Sequence, residues 1–270
     1  MGTNMRNDTR TTLDPDMIDM LRSSLRHVLT DESTRPLADR LADLGWKEVV
    51  DTDPATALRT LFEIKGDTLS GADALGPSLA SKYSELTGAS SASVSIGRPG
   101  HLTLVDGSGA ENEVSVDEAT WAALQAHGRW LVACELVGIG RHVIASAVEY
   151  TKDRVQYGKP IGVFQALQHR LASAHAMVVG AGHLITEAGL DGDPWTATVA
   201  KCMAGQTAEF ACTQAQQCYG AIGFTFEHEF PAYLRRTYTL DRMFGDWRTL
   251  EHEIGSRLQA TRLVPRIGSL

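Results

Sequence analysis

Cysteine is scarce in this chain. Cys134, Cys202, Cys212 and Cys218 show neither a C-x-x-C pair nor a histidine at ligand spacing. That pattern disfavours a disulfide framework or a cysteine-based zinc site and reads as buried thiols in a reducing compartment. No run of eighteen apolar residues appears, and the opening MGTNMRNDTRTT has no apolar signal core. A soluble, cytoplasmic protein with no membrane partner is the expectation. Positive charge is short too: 25 Lys and Arg face 33 Asp and Glu, a net charge of -8 that argues against a nucleic-acid partner. What the chain does have is length, 270 residues, and 43% hydrophobic content, enough for one large core or two small ones.

Several familiar constellations are incomplete. His169, His175 and His183 fall on one predicted helix, where only the eight-residue pair shares a face, and no third ligand is within reach in sequence. His228-Glu229 begins like a zinc-protease motif, but Pro231 and Ala232 stand where the helix and its second histidine belong. Gly138 with Gly140, and Gly180 with Gly182, are G-x-G pairs inside helical patterns with no preceding strand, so they do not read as a dinucleotide fold. Cys202 and Cys212 could act as nucleophiles only with a base that the sequence does not reveal.

Hydrophobic spacing predicts a mainly α fold in three regions. Residues 1–88 read as short helices: one opened by Asp14-Pro15 through Met17, Leu21 and Leu25, a second over Leu37, Leu41 and Leu44 ended by Gly45, and a third from Ala55 to Ile64. Residues 89–116 alternate apolar and polar around a Gly-Arg-Pro-Gly turn, predicting a hairpin. Residues 117–270 return to long helical patterns, broken near Gly158, Gly189 to Pro194, and Gly220 to Pro231, which suit a four-helix bundle. Within it, WLVACELVGIGRHVI from Trp130 to Ile144 has Glu135 and Arg141 as its only fully charged residues. Such a helix must be covered nearly all round, and a second subunit is the expected cover.

The stretch from Tyr150 to Leu171, YTKDRVQYGKPIGVFQALQHRL, is the most specific. Arg154 precedes Tyr157-Gly158, then come Lys159-Pro160, Phe164-Gln165 and Gln168. Pro160 suits the first turn of a helix. Phe164, Leu167, Leu171, Ala174 and Val178 recur at helical spacing as a buried stripe. A guanidinium such as that of Arg154 is a natural partner for a pyrophosphate, although Lys152, Arg154 and Lys159 also fit a plain basic rim. This order of residues resembles the flavin-contacting segment of the acyl-CoA dehydrogenase family. About fifty residues on, Gln217, Gly220, Ala221, Gly223 and Phe224 resemble the family's Gln-x-x-Gly-Gly-x-Gly-aromatic pattern, with Ala221 in place of the second glycine. Leu234 to Arg236 resembles its next landmark, and LADLGW at Leu41 to Trp46 resembles part of its N-terminal region.

The resemblance implies an acyl-CoA dehydrogenase-like fold with N-terminal helices, a vestigial β hairpin region and a C-terminal four-helix bundle. It also implies FAD as cofactor, held through Arg154, Tyr157, Gln165, Gln217, Gly220 and Ala221, and α,β-desaturation of an acyl-CoA. Two things that the family has are missing. Its β-domain, which encloses the flavin ring, is cut to a length that would leave two lone strands, and those barely hold themselves together. Its catalytic Glu is missing as well. The usual position aligns with Phe244, and the position used by a subset of the family aligns with Gly128. Asp246 and Arg129 are the remaining candidates for a catalytic role. The family places FAD across a subunit interface, so the chain resembles the short subunit of heteromeric α2β2 actinobacterial enzymes of steroid or fatty-acid side-chain breakdown. The implied partners are a longer dehydrogenase subunit, in a heterotetramer, and an electron-transferring flavoprotein. A flavin-free scaffold or acyl-CoA-binding protein, and a lyase or hydratase using Asp246 or Arg129, are the alternatives.

Overall fold

A computed structural model describes residues 12–265; of the opening stretch discussed above, all but Thr12 lies outside them. Five helices come first: α1 (Pro15–Thr30), α2 (Leu37–Ala42), α3 (Trp46–Thr52), α4 (Pro54–Asp67) and α5 (Leu75–Thr87). The side chains of Asp14 and Asp53 cap α1 and α4 by accepting from Met17 N and Thr56 N, each followed by a proline in the first turn. The helices expected from Asp14-Pro15, Leu37 and Ala55 are therefore present, while α3 and α5 add to them.

The next segment is a three-stranded antiparallel meander, β1 (Ser93–Ile96), β2 (His101–Val105) and β3 (Glu111–Ser115). The hairpin around Gly97 to Gly100 is there, with Val94 opposite Leu104 and Ile96 opposite Leu102. The expectation of two strands is corrected to three. β3 reads Glu-Asn-Glu-Val-Ser and is exposed along most of its length, so it carries no apolar alternation to detect. Val94 and Leu102 bury against Leu79, Ala80 and Tyr83 of α5, forming a small second core.

The remainder is helical: α6 (Glu118–Asp153), α7 (Gln165–Asp191), α8 (Pro194–Tyr219), α9 (Phe230–Arg242) and α10 (Trp247–Thr261). A tight hairpin of β4 (Val155–Gln156) and β5 (Lys159–Pro160) and a 3-10 turn at Ile161–Val163 separate α6 from α7. Pro160 thus belongs to a strand and not to the first turn of the helix, which starts at Gln165. Leu171, Ala174 and Val178 are buried as the stripe requires, with Leu167 at its margin.

α6 is the axis of the molecule. Every residue from Gly128 to Gly140 is buried, although the helix has the length and apolarity of a membrane span. α4, α7 and α8 of the same chain do the burying, in one core that also takes in Leu25 and Val28 of α1. The expectation that a second subunit must cover this helix is therefore corrected, because the N-terminal helices pack on it directly. The α4–α6 crossing is close enough that a Cβ on Gly66 would stand 2.0 Å from the Glu135 carbonyl oxygen, and one on Gly138 2.0 Å from that of Glu63. Those glycines exist for backbone approach. Gly138→Ala should accordingly cost about 1–3 kcal/mol through overpacking and lower the Tm by roughly 2 to 12 °C. Calorimetry checks this, and an unchanged Tm would mean that the crossing is looser than the structure has it.

Candidate functional site

Antiparallel packing brings the end of α6, the start of α7 and the end of α8 to one end of the bundle. Tyr150 meets Tyr219 edge-on at 5.2 Å between centroids, and Arg170 Nη1 donates to Gln214 Oε1 at 2.9 Å. The residues expected to hold the cofactor stand on three segments there. Arg154 is the C-cap of α6, in extended conformation, with its backbone N–H on Tyr150 O. Tyr157 and Gly158 turn the β4–β5 hairpin with φ of 54° and 74°. Two positive φ values suit a type I′ turn; the glycine adopts its value freely, while Tyr157 pays for a conformation that side chains disfavour. Its ring is 91% exposed and meets Phe164 edge-on, and Lys159 Nζ lies 4.7 Å from the Phe164 centroid. Gln165 opens α7, whose first turn has no side-chain cap and so presents free N–H groups.

Gln217 is exposed in the last turn of α8. Gly220 ends that helix at φ 62°, ψ -134°, a conformation open essentially to glycine alone, and nothing stands within 4 Å of where its Cβ would be. Ala221, Phe224 and Phe226 follow at the surface, the last two 72% and 94% exposed. Among the described residues, the side chains of Arg154, Gln165 and Gln217 have no hydrogen-bond or ion-pair partner. Gln168, by contrast, is engaged, donating to Gly162 O at 2.9 Å.

The loop after Gly220 is tied down by His142. Its Nδ1 lies 3.2 Å from Asp67 Oδ1, its Nε2 3.0 Å from Glu229 Oε1, and its ring stacks on Tyr233 at 4.3 Å. Burial disfavours the charged imidazole, but the two carboxylate contacts outweigh it and raise the pKa above the ordinary 6.5. His228, in the same loop, accepts from Phe230 N through Nδ1.

Near the opposite end, the two places expected to carry a base are neighbours. Gly128 is buried in α6, and a Cβ there would stand 2.5 to 2.9 Å from the ring atoms of Phe244. Phe244 sits in the turn between α9 and α10 with φ 60°, followed by Gly245 at 100°. Arg129 Nε donates to Phe244 O at 3.1 Å, and Lys201 Nζ donates to Asp241 O and Gly245 O at 2.9 and 3.1 Å. The turn is built to hold a phenyl ring over a glycine.

Both candidate catalytic residues are engaged within the chain. Asp246 caps α10, accepting from Arg248 N and Thr249 N; its bonds to the Thr249 backbone and hydroxyl hold its pKa below the usual carboxylate value. Arg129 is buried and spent on Phe244 O, Thr198 Oγ1 and Glu253. The structure gives both candidates structural contacts, a helix cap for Asp246 and a buried strut for Arg129. All four cysteines are buried, and burial pushes the Cys202 and Cys212 thiols up to about 11, far from nucleophilic.

Fold and site together define a helical chain with an exposed polar arm at one end and Phe244 packed over Gly128 at the other. The profile of the acyl-CoA dehydrogenase C-terminal domain matches residues 120–257, and the chain belongs to the acyl-CoA dehydrogenase family. It is 32% identical over 128 residues to the acyl-CoA dehydrogenase IpdE2 of Mycolicibacterium smegmatis, covering 46% of this chain and 41% of that protein. It is 35% identical over 113 residues to the short-chain specific acyl-CoA dehydrogenase of Megasphaera elsdenii, covering 40% and 30%. The chain thus spans about two fifths or less of the length of these curated relatives. Among solved structures it resembles the Tcur3481-Tcur3483 steroid ACAD G363A variant, with a TM-score of 0.75 and 17% identity over 92% of this chain and 99% of that one. It also resembles the ChsE4-ChsE5 complex from Mycobacterium tuberculosis, with a TM-score of 0.69 and 16% identity over 95% and 100%.

Two outcomes follow from this geometry. Gly128→Ala alone should lose about 1–3 kcal/mol in urea unfolding, and the loss should vanish in a Phe244→Leu background, because the ring is what the new methyl meets. A loss of equal size in both backgrounds would separate the two positions. For His142, a folded-state pKa above the unfolded 6.5 means stabilisation that is complete below about pH 6.5 and lost as pH rises through the folded value. The stability gap between the natural chain and His142→Gln should therefore shrink from pH 6 to pH 9; a gap that widens would refute the clamp.

Proposed function

We propose that this chain is the cofactor-arm subunit of a two-chain, FAD-dependent acyl-CoA dehydrogenase. It binds the pyrophosphate and adenosine end of FAD, and a longer dehydrogenase chain supplies the base and the thioester pocket for α,β-desaturation of an acyl-CoA. The observation that carries this reading is the Phe244 ring packed over Gly128: both positions expected to hold the base are occupied by groups that accept no proton.

The arm fits the diphosphate end of the cofactor. Arg154 offers a fork of charged donors, Gln165 and Gln217 offer neutral ones, and the uncapped start of α7 adds backbone N–H groups where negative charge is favoured. At Gly220 the open space where a Cβ would stand leaves room for a ligand to approach the backbone. The chain does not fit the flavin ring, because three short strands replace an enclosing β-domain. When bound, FAD supplies the acceptor for the substrate hydride. The chain's own residues bind and orient it.

Distance supports the division between chains. From Gly128 to Arg154 is 26 residues of one helix, about 39 Å at 1.5 Å per residue, so arm and base positions serve different cofactor molecules. Both structural relatives described above carry two-protein names, and one is called a steroid enzyme. A steroid side chain or a fatty acid is accordingly the acyl group we expect, and an electron-transferring flavoprotein the acceptor. A lyase or hydratase reading loses its support once Asp246 is a helix cap and Arg129 a buried strut.

Co-purification with the longer chain tests the proposal. The pair should contain one FAD per heterodimer, and the isolated chain should not turn over. Arg154→Ala should weaken FAD binding by about tenfold or more without loss of helix content, and Arg154→Lys should rescue poorly. Full flavin retention in Arg154→Ala, or one FAD bound by each chain, would sink it.

A further inference from the structure

On the face of α6 away from Gly128 lies a half-open cavity of about 1280 Å³, bordered by α2 to α5 and the α7–α8 junction. Ala126 and Trp130, two residues either side of Gly128, point about 200° around the helix from it, so the cavity is separate from the base positions. It is larger than the roughly 300–1000 Å³ of ordinary ligand pockets. Four alanines of α6, at 119, 122, 123 and 126, make its floor, where larger side chains would have filled it. Leu58, Trp46 and Trp130 supply apolar walls.

The polar groups that face this space without a hydrogen-bond partner among the described residues include the His127 imidazole. Its ring lies 5.6 Å from that of Trp130. Burial, with Lys82 adding to it, brings its pKa down to about 4, so the imidazole is neutral at pH 7 and offers one donor and one acceptor. The charges around the rim are Asp51, Asp53, Asp73 and Glu85 against Lys82, and Lys82 is already paired with Glu85 at 2.8 Å. This balance repels anions, including the phosphates of coenzyme A. The residues ahead of Thr12, MGTNMRNDTRT, include only two large apolar side chains and are a poor match for an apolar interior.

We propose that this cavity is a second ligand site, for an apolar molecule of lipid or fused-ring size that carries an uncharged hydroxyl or carbonyl paired with His127. It stands independently of the FAD arm. Two of the chain's five tryptophans line it, so bromine quenching of fluorescence reads occupancy directly.

The full chain is titrated with 12-bromododecan-1-ol, 1-bromododecane and 12-bromododecanoate. Saturable quenching by the alcohol is expected, about threefold to tenfold tighter than by the bromoalkane, as one neutral hydrogen bond provides; the carboxylate should bind weakest. Ala123→Phe, or Ser78→Phe from the α5 wall should the first not fold, fills the cavity and should weaken all three at least tenfold. His127→Leu should abolish the preference for the alcohol and leave the bromoalkane bound. Absence of saturable quenching, quenching that survives a folded cavity-filling variant, strongest binding of the carboxylate, or an alcohol preference untouched by His127→Leu would each overturn the proposal.

Discussion

A helix that is apolar on every side has to be wrapped on every side, and the rest of the structure follows from doing this for α6. Its apolar residues are spread around the helix and favour no single face. α7 and α8 cover two sides, and α4 covers a third by the glycine-to-backbone approach at Gly66 and Gly138. A wrapped helix also carries its polar groups inward. Glu135 is met by Lys65 at 3.0 Å and by the Arg236 guanidinium, and Glu63 by Arg22 and Arg141. Burial lowers the Lys65 pKa while Glu135 opposes the change. Such groups contribute little net stability as a set, but each needs the others, since removing one strands a buried charge. Arg236 in the LRR landmark is thus a strut between α9 and α6.

The turn that holds Phe244 is equally deliberate. A phenylalanine at φ 60° is unfavourable unless the surroundings enforce it, while Gly245 takes its 100° freely. Here Arg129 and Lys201 aim charged donors at three carbonyls of that turn and its approach, and Trp247 N donates to Asp241 Oδ1 at 3.2 Å. The loop around Phe244 is therefore not slack. The cations hold the backbone, and the phenyl ring closes the space in front of Gly128.

How much of this was legible in the sequence differs by scale. Long helices announced themselves through periodicity, and α1 and α4 through an aspartate cap followed by proline. Strand β3 and the short α3 were silent, one because it is solvated on both faces and the other because none of its residues is buried. The arm was legible because Arg154, Tyr157-Gly158 and Gln165 form a local pattern, and a turn is built from local residues. Covering α6 was misjudged because the partners that wrap it are far away in sequence: Gly66 meets residues 135 to 139, which periodicity cannot announce. The fate of Arg129 was hidden likewise, since its acceptors are 69 to 124 residues away.

The two ends of the bundle now differ in kind. At the base end, Gly128 and Phe244 fill one another's space, the capping carboxylate is used, and each cation has its acceptors. At the arm end, Tyr157, Phe224 and Phe226 are exposed, and the side chains of Arg154, Gln165 and Gln217 have no protein partners among the described residues. Exposed aromatic rings are costly to leave in water, whereas the exposed donors are solvated. A strained tyrosine at the tip of a two-residue turn adds to the cost. On the reading proposed above, a diphosphate would give the donors an acceptor and a second protein would give the rings a cover.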